Sequence, residues 1–298
     1  MTVRLGINPI TWSNDDMPSL GGDTPLETCL AETRQAGYAG IEMGGKFPKT
    51  AAALRPVLDR HGLAFISGWY SARLLERDAA AEIAAMADHL DLMAAMGCKV
   101  MVFAECSGAT HGDRGKPAFE RRRIPEAMWP EFAARVAAVA QHMAKRGVRL
   151  ALHHHMGTPI QDAAEIDRLM AMTGPEVGLL LDTGHATFAG ADPLALARAH
   201  GPRIVHVHCK DVRRAQLDAA VRSGSSFLDA VVDGVFTVPG DGSIDYAPIL
   251  RHLAQSGYAG WLVVEAEQDP AKAHPLTYAT MGFRNLSRLA KDAGFVVA

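Results

Sequence analysis

Gln35-Ala36-Gly37-Tyr38-Ala39-Gly40-Ile41-Glu42 decides how the chain is read, because its form returns along the whole length. A helical stretch ends at a glycine and a short apolar run follows. Glycine tolerates the left-handed conformation that stops a helix, and the chain then turns into a buried strand. The same form appears at Arg60-His61-Gly62 before Leu63-Ala64-Phe65-Ile66, and at Met96-Gly97 before the run 98–103. It appears again at Arg146-Gly147 before 148–152, and at Ser256-Gly257 before 258–265. Gly-Tyr-Ala-Gly thus stands at both 37–40 and 257–260. Leu5-Gly6-Ile7 and the runs 177–181 and 204–207 bring the strand candidates to eight. Spread over 298 residues, that is about 37 residues per unit, enough for a strand, a helix and two loops.

The runs are apolar rather than alternating, as expected for parallel strands covered on both faces. Between them lie helical segments. Thr24-Pro25-Leu26-Glu27 reads as a capping box with Pro at the first helical position, placing Leu26, Cys29, Leu30 and Thr33 on one face. Asp192-Pro193 starts another helix in the same way, and the Ala-, Leu- and Met-rich stretch from Glu76 to Met96 favours helix. This alternation, with no linker, predicts an α/β fold: one (β/α)8 TIM barrel over residues 1–298. A doubly wound open sheet is disfavoured because no Gly-x-Gly-x-x-Gly follows the first strand. Two long insertions, about 106–124 and about 211–242, follow the fourth and seventh strands and belong on the C-terminal face, where barrel enzymes build their sites.

Hydrophobic residues make up 48% and charged residues 21%, which is globular composition and excludes a disordered chain. Lys+Arg 30 against Asp+Glu 33 gives −3, so no broad basic surface awaits nucleic acid or an anionic membrane. No apolar run reaches about 18 residues, and the first twelve residues read as a strand rather than a signal segment. Cys29, Cys98, Cys106 and Cys209 show no CxxC spacing and are expected as reduced thiols in a cytoplasmic protein. A homo-oligomer is compatible with this composition.

The chemistry sits at the strand ends. The second strand ends at Glu42, the fourth at Glu105, the fifth at His153-His154-His155 and the sixth at Asp182, with His185 close behind. The seventh carries His206 and His208, then Lys210, and the eighth ends at Glu265, with Glu267 beyond. In a closed barrel these ends converge, so imidazoles and carboxylates from different strands meet at one divalent-metal site. Mixed N/O donors favour Mn(II), Co(II), Fe(II) or Zn(II) over Ca(II). Residues two apart share a face, which pairs His153 with His155 and His206 with His208. His154 is expected to face the helices, and His206, one pleat deeper than His208, to be a supporting donor or a packed residue. Glu42, Glu105 and Trp12 are candidate substrate contacts, with Trp69 as a second aromatic. Arg121-Arg122-Arg123 reads as a solvated basic run.

These residues carry a resemblance. The segments 181–185 (Leu-Asp-Thr-Gly-His), 206–211 (His-Val-His-Cys-Lys-Asp) and 263–267 (Val-Val-Glu-Ala-Glu) resemble the last three strands of the xylose-isomerase-like barrel superfamily. Within it, 153–158, 236–242 and 261–270 are similar to the inosose dehydratases, also called 2-keto-myo-inositol dehydratases, and the similarity spans nearly the whole chain. The resemblance implies a metal held at the ends of strands five to eight, here by His153, Asp182, His208 and Glu265. His153 stands where the isomerases and epimerases have Glu, which leaves either His153 or His155 as the ligand and removes a carboxylate from their two-base proton shuttle. The implied reaction is loss of water from 2-keto-myo-inositol (scyllo-inosose) to give a trihydroxycyclohexane-dione in inositol catabolism. Mn(II) or Co(II) and glutathione are the implied cofactors. Catalytic roles fall to Glu265 or an imidazole (His153, His155) as base, and to His185 or Lys210 as acid or enolate partner. The alternative is a keto-sugar isomerase or epimerase on the same metal-dependent barrel.

Overall fold

The computed structural model describes all 298 residues. Its first strand is Thr2–Ile7 and its second Gly40–Ile41. The third is split into Ala64–Phe65 and Trp69–Ala72. The fourth to eighth are Val100–Glu105, Arg149–His153, Val177–Asp182, Ile204–Cys209 and Gly260–Val264. Every pairing among them is parallel. The sheet begins at the first half of the third strand and ends at its second half, so it curls round and closes on that one stretch. Val102 N bonds to Gly68 O and Ser67 Oγ across the join, both at 3.2 Å. This is the expected α/β barrel. Val296–Val297 adds a short parallel pairing outside the first strand.

Glycines end the helices where the sequence places them. Gly37, at φ 109°, closes the helix Leu26–Ala36 with its N–H on Arg34 O. Gly40 serves packing instead, since a Cβ there would stand 2.8 Å from Trp261 Cη2, and the bare backbone makes room for the indole inside the barrel. The helix Pro193–His200 is capped by Asp192, as read. The capping box at Thr24 is not formed: the helix starts one residue later, with Pro25 at the cap and no side-chain bond. Proline there already holds an extended backbone (φ −64°, ψ 146°), which moves Thr24 out of reach of the first turn. The stretch 76–96 forms two helices, Ala79–Ala85 and Ala87–Met96, meeting at Met86.

The two insertions meet each other over the C-terminal mouth. The second contains the helices Arg214–Ser223 and Phe227–Val232 and a short antiparallel pair, Asp211–Val212 with Phe236–Thr237. Ala118 N in the first insertion bonds to Ser225 O in the second at 2.9 Å, and Arg114 pairs with Asp229. Phe188, Phe227, Phe236 and Met156 pack beneath this junction as a second apolar cluster, separate from the barrel core. The arginine run is not uniformly solvated. The Arg121 side chain is only 1% exposed, between Asp162 (3.1 Å) and Glu165 (2.8 Å), whereas that of Arg123 is 70% exposed. Its guanidinium is drawn in because the carboxylates at the start of helix Ala163–Met172 give a desolvated cation two partners. No helix is long and apolar enough to cross a membrane.

Candidate active site

Four successive strand ends bring His153, Asp182, His208 and Glu265 together, each offering one donor atom within 4.8 Å of the others. Register explains the convergence: Asp182 lies beside His208, and His208 beside Val263, two residues before Glu265. Asp182 Oδ2 stands 3.8 Å from His153 Nε2 and 3.4 Å from His208 Nδ1. His208 Nδ1 is 2.8 Å from Glu265 Oε2 but off the line of a hydrogen bond.

The remaining atoms of these side chains are spoken for. His153 Nδ1 donates to His154 O (2.7 Å), which leaves the lone pair on Nε2. His208 Nε2 donates to Glu42 (3.3 Å), which leaves the lone pair on Nδ1. Asp182 Oδ1 accepts from His185 N (2.8 Å). His153 Nε2, Asp182 Oδ2 and His208 Nδ1 are then buried with no partner. Three orphaned acceptors facing one another is a costly arrangement in a closed interior. A shared cation satisfies all three at once, so the donor set fits a divalent metal.

Electrostatics agrees. Burial, with the charge of His208 second, drops His153 to about 3, so its ring is neutral and ready to donate a lone pair. Burial opposes ionisation of Glu42, yet His208 and His206 hold it down at about 2. Glu265 is likewise driven well below the usual carboxylate range, against its burial, by His208 and Lys210. Burial pulls His208 down, but Glu265 and Glu42 outweigh it and raise it well above the ordinary value, so without a cation Nδ1 holds a proton that a metal would displace to gain the lone pair. The site is a buried excess of carboxylate awaiting positive charge.

A second group, His155, His185 and Glu267, also has donors within 4.8 Å of one another. Lys210 already fills it. Its fully buried ammonium lies 2.7 Å from Glu265 Oε1, 3.0 Å from His185 Nε2 and 3.2 Å from Glu267 Oε1, so three acceptors meet three N–H donors. Those carboxylates raise the Lys210 pKa although burial lowers it, so the position is cationic without a metal. The rings of His155 and His185 lie 3.8 Å apart, tilted by 42°, and are both kept neutral by burial. Burial lifts Glu267 to about 7, with Lys210 opposing.

Above these residues opens a cleft of about 350 Å³ whose lining includes Asn8, Met43, Trp69, His155, Glu265 and Glu267. The structure thus gathers the four candidate ligands, and sets His155 on the cleft wall and Lys210 and His185 directly behind it. Three expected substrate contacts are elsewhere. Trp12 is 1% exposed, packed in the core with Nε1 on Glu32 (2.6 Å). Glu105 is consumed by the backbone amides of Leu74 (2.7 Å) and Ser107 (3.0 Å). Glu42 is buried under the site, where it orients His206 (2.8 Å) and His208. Buried carboxylates are bonded within the fold first, and these two have no oxygen left for a ligand. His154 is buried and accepts from Asp182 N (3.3 Å), steadying the neighbouring strand end.

Two residues of the site escape a reading of the sequence. Asn8 Nδ2 bridges Glu42 Oε2 (2.9 Å) and Glu265 Oε2 (3.1 Å). Its only signal is a polar residue directly after the first strand. Glu267 is visible as a second carboxylate past the eighth strand, but nothing in its spacing gives it a role.

A family profile described as "Xylose isomerase-like TIM barrel" matches residues 30–288. The rhizopine catabolism protein MocC of Rhizobium meliloti is 54% identical over 99% of this chain and 91% of its own length. The inosose dehydratase of Lacticaseibacillus casei is 44% identical over 94% of each chain. Among solved structures, a xylose isomerase-like TIM barrel protein from Mycobacterium smegmatis in complex with magnesium superposes with a TM-score of 0.73, at 18% identity over 98% of each chain. With the barrel, the profile and these full-length relatives in agreement, the chain belongs to the xylose isomerase-like TIM barrel family, in the group that contains the inosose dehydratases.

Proposed function

We propose that the protein is a hydro-lyase that dehydrates 2-keto-myo-inositol to 3D-3,5/4-trihydroxycyclohexane-1,2-dione, a step of inositol catabolism carried out in the cytoplasm. The observation that carries this reading is the donor cluster beneath the cleft, with three buried orphaned acceptors, in a chain that matches inosose dehydratases over almost its full length. We assign His153, Asp182, His208 and Glu265 as ligands of a divalent metal, with Mn(II) or Co(II) as the ion. Bound there, the metal supplies Lewis-acid stabilisation of charge on the ketone oxygen, an effect of several kcal/mol.

The chain's own residues do the rest. Trp69, edge-on to His153 (5.2 Å) and His155 (5.3 Å), offers an aromatic wall for the C–H face of a polyol ring. His155, neutral and fixed by Nδ1 on Met156 O (2.8 Å), presents Nε2 toward the cleft for a substrate hydroxyl. Lys210 balances Glu265 and Glu267 and adds fixed positive charge near the developing enolate. Asn8 and Glu42 hold Glu265 and His208 in place.

The test is chelation. Stripped of metal, the protein should form no dione from 2-keto-myo-inositol, read by the new ultraviolet absorbance of the product. Mn(II) or Co(II) should restore it. Undiminished turnover by the stripped protein would end this reading.

A further inference from the structure

We propose that Glu267 is the catalytic carboxylate that takes the proton from carbon and hands it to the departing hydroxyl, a role that rests on the dehydration proposed above. Four carboxylates line the cleft: Asp15, Asp16, Glu265 and Glu267. Asp15 and Asp16 are exposed to water, and Asp15 Oδ2 also accepts from Gly45 N at 2.7 Å. Glu265 is committed at both oxygens, Oε1 to Lys210 at 2.7 Å and Oε2 to Asn8 at 3.1 Å, and it belongs to the metal-donor cluster. Lys210, Asn8 and the metal-donor cluster together hold its two oxygens, so neither is left free for a substrate proton.

Glu267 differs from all three. It is 2% exposed, it lines the cleft, and only one of its oxygens is engaged. Oε1 accepts from Lys210 Nζ at 3.2 Å, which anchors the carboxylate, while Oε2 is buried with no partner. A buried, unpaired carboxylate oxygen is retained against its desolvation cost, and a substrate group entering the cleft removes that cost. Lys210 fixes the side chain's direction, so the free oxygen is held in place before substrate arrives.

The step balances within this one group. Glu267 Oε2 takes the proton from the carbon next to the ketone, and the C–H electron pair becomes the enolate double bond, with the charge on the ketone oxygen. The enolate then re-forms the ketone and pushes its pair into a new double bond. The C–O bond at the next carbon breaks, and the leaving hydroxide takes the proton from Glu267 to depart as water. The enol that remains shifts to the dione, and Glu267 is a carboxylate again.

The experiment uses the full-length Mn(II)-loaded protein, Glu267→Gln and Glu267→Asp, with 2-keto-myo-inositol. It reads dione formation, substrate affinity by calorimetry and metal per chain by elemental analysis. The proposal expects E267Q to lose at least about 100-fold in kcat, with metal per chain unchanged and affinity within about tenfold. E267D, whose carboxylate is drawn back by one methylene, should keep its metal and fall about tenfold or more in kcat. Turnover by E267Q within about threefold of the parent overturns the role, as does loss of metal from E267Q, which would make the residue structural. Should E267Q fail to fold, E267D decides: full kcat overturns the role and reduced kcat with intact metal supports it. A parent protein that makes no dione overturns the reaction and takes this role with it, whereas an active parent with an active E267Q removes only the role.

Discussion

Single side chains in this molecule are chosen by what is left over after local bonding. His153 and His208 each spend one ring nitrogen on an oxygen of the fold, and the other is free. Glu105 spends both oxygens on backbone amides and has nothing to offer a ligand. The replacement Glu265→Gln should therefore lower metal per chain and abolish turnover together, checked by elemental analysis and the dione assay. Surviving turnover would show that Glu265 is not part of the centre. The two tryptophans separate in the same way. Trp69→Ala should raise KM about tenfold or more by removing a wall of the cleft. Trp12→Phe should leave KM alone and lower stability by about 1 kcal/mol through the lost Glu32 bond and core volume, seen as a shift in the denaturant midpoint. Ligand-type residues at the strand ends were legible from the sequence. Which of them had been used up by neighbouring amides was not, because those amides belong to distant segments.

Elements show the same division. The strands that read as apolar runs ending in chemistry are strands, and the Gly-terminated helices end at their glycines. The second half of the third strand, Trp69–Ala72, was not legible: Trp-Tyr-Ser-Ala is not an apolar run, and it becomes a strand only by pairing with Val102–Glu105. The insertions were placed on the right face, but their mutual pairing through Ala118 and Ser225 was invisible, since the two are separated by more than a hundred residues. Arg121 anchors the end of the first insertion to the cap of helix Ala163–Met172. Arg121→Ala should cost about 2 kcal/mol, less than the ~3–5 of a wholly buried pair because Arg123 still reaches the same carboxylates. Urea unfolding measures it, and an unchanged midpoint would show that the anchor is idle.

Across the whole molecule, the burial that builds the site also ties stability to pH. Burial holds His154 down to about 4, and it lowers His89 as well, against an unfolded value of 6.5 for each. Between these values the unfolded chain binds protons that the folded protein refuses, so acidification favours unfolding. In the metal-free protein these rings, with His153, His155 and His185 lowered in the same sense, outweigh Glu267 and His208, whose raised values act the other way, so stability should fall by about 1 kcal/mol or more on going from pH 7 to pH 5, read from urea midpoints. A midpoint that rises at pH 5 would contradict the buried, neutral state of these rings. The sequence by itself determined the barrel, through eight apolar runs spaced for strand–helix units, and it determined the kinds of ligand at the strand ends, since side-chain type and spacing are local properties. Only the tertiary structure decided which of those groups face one another and which are quenched. That outcome depends on register between strands, on the closure at Ser67–Gly68 and on buried bonds such as Asn8 to Glu265, and these are contacts between parts of the chain that no local pattern relates.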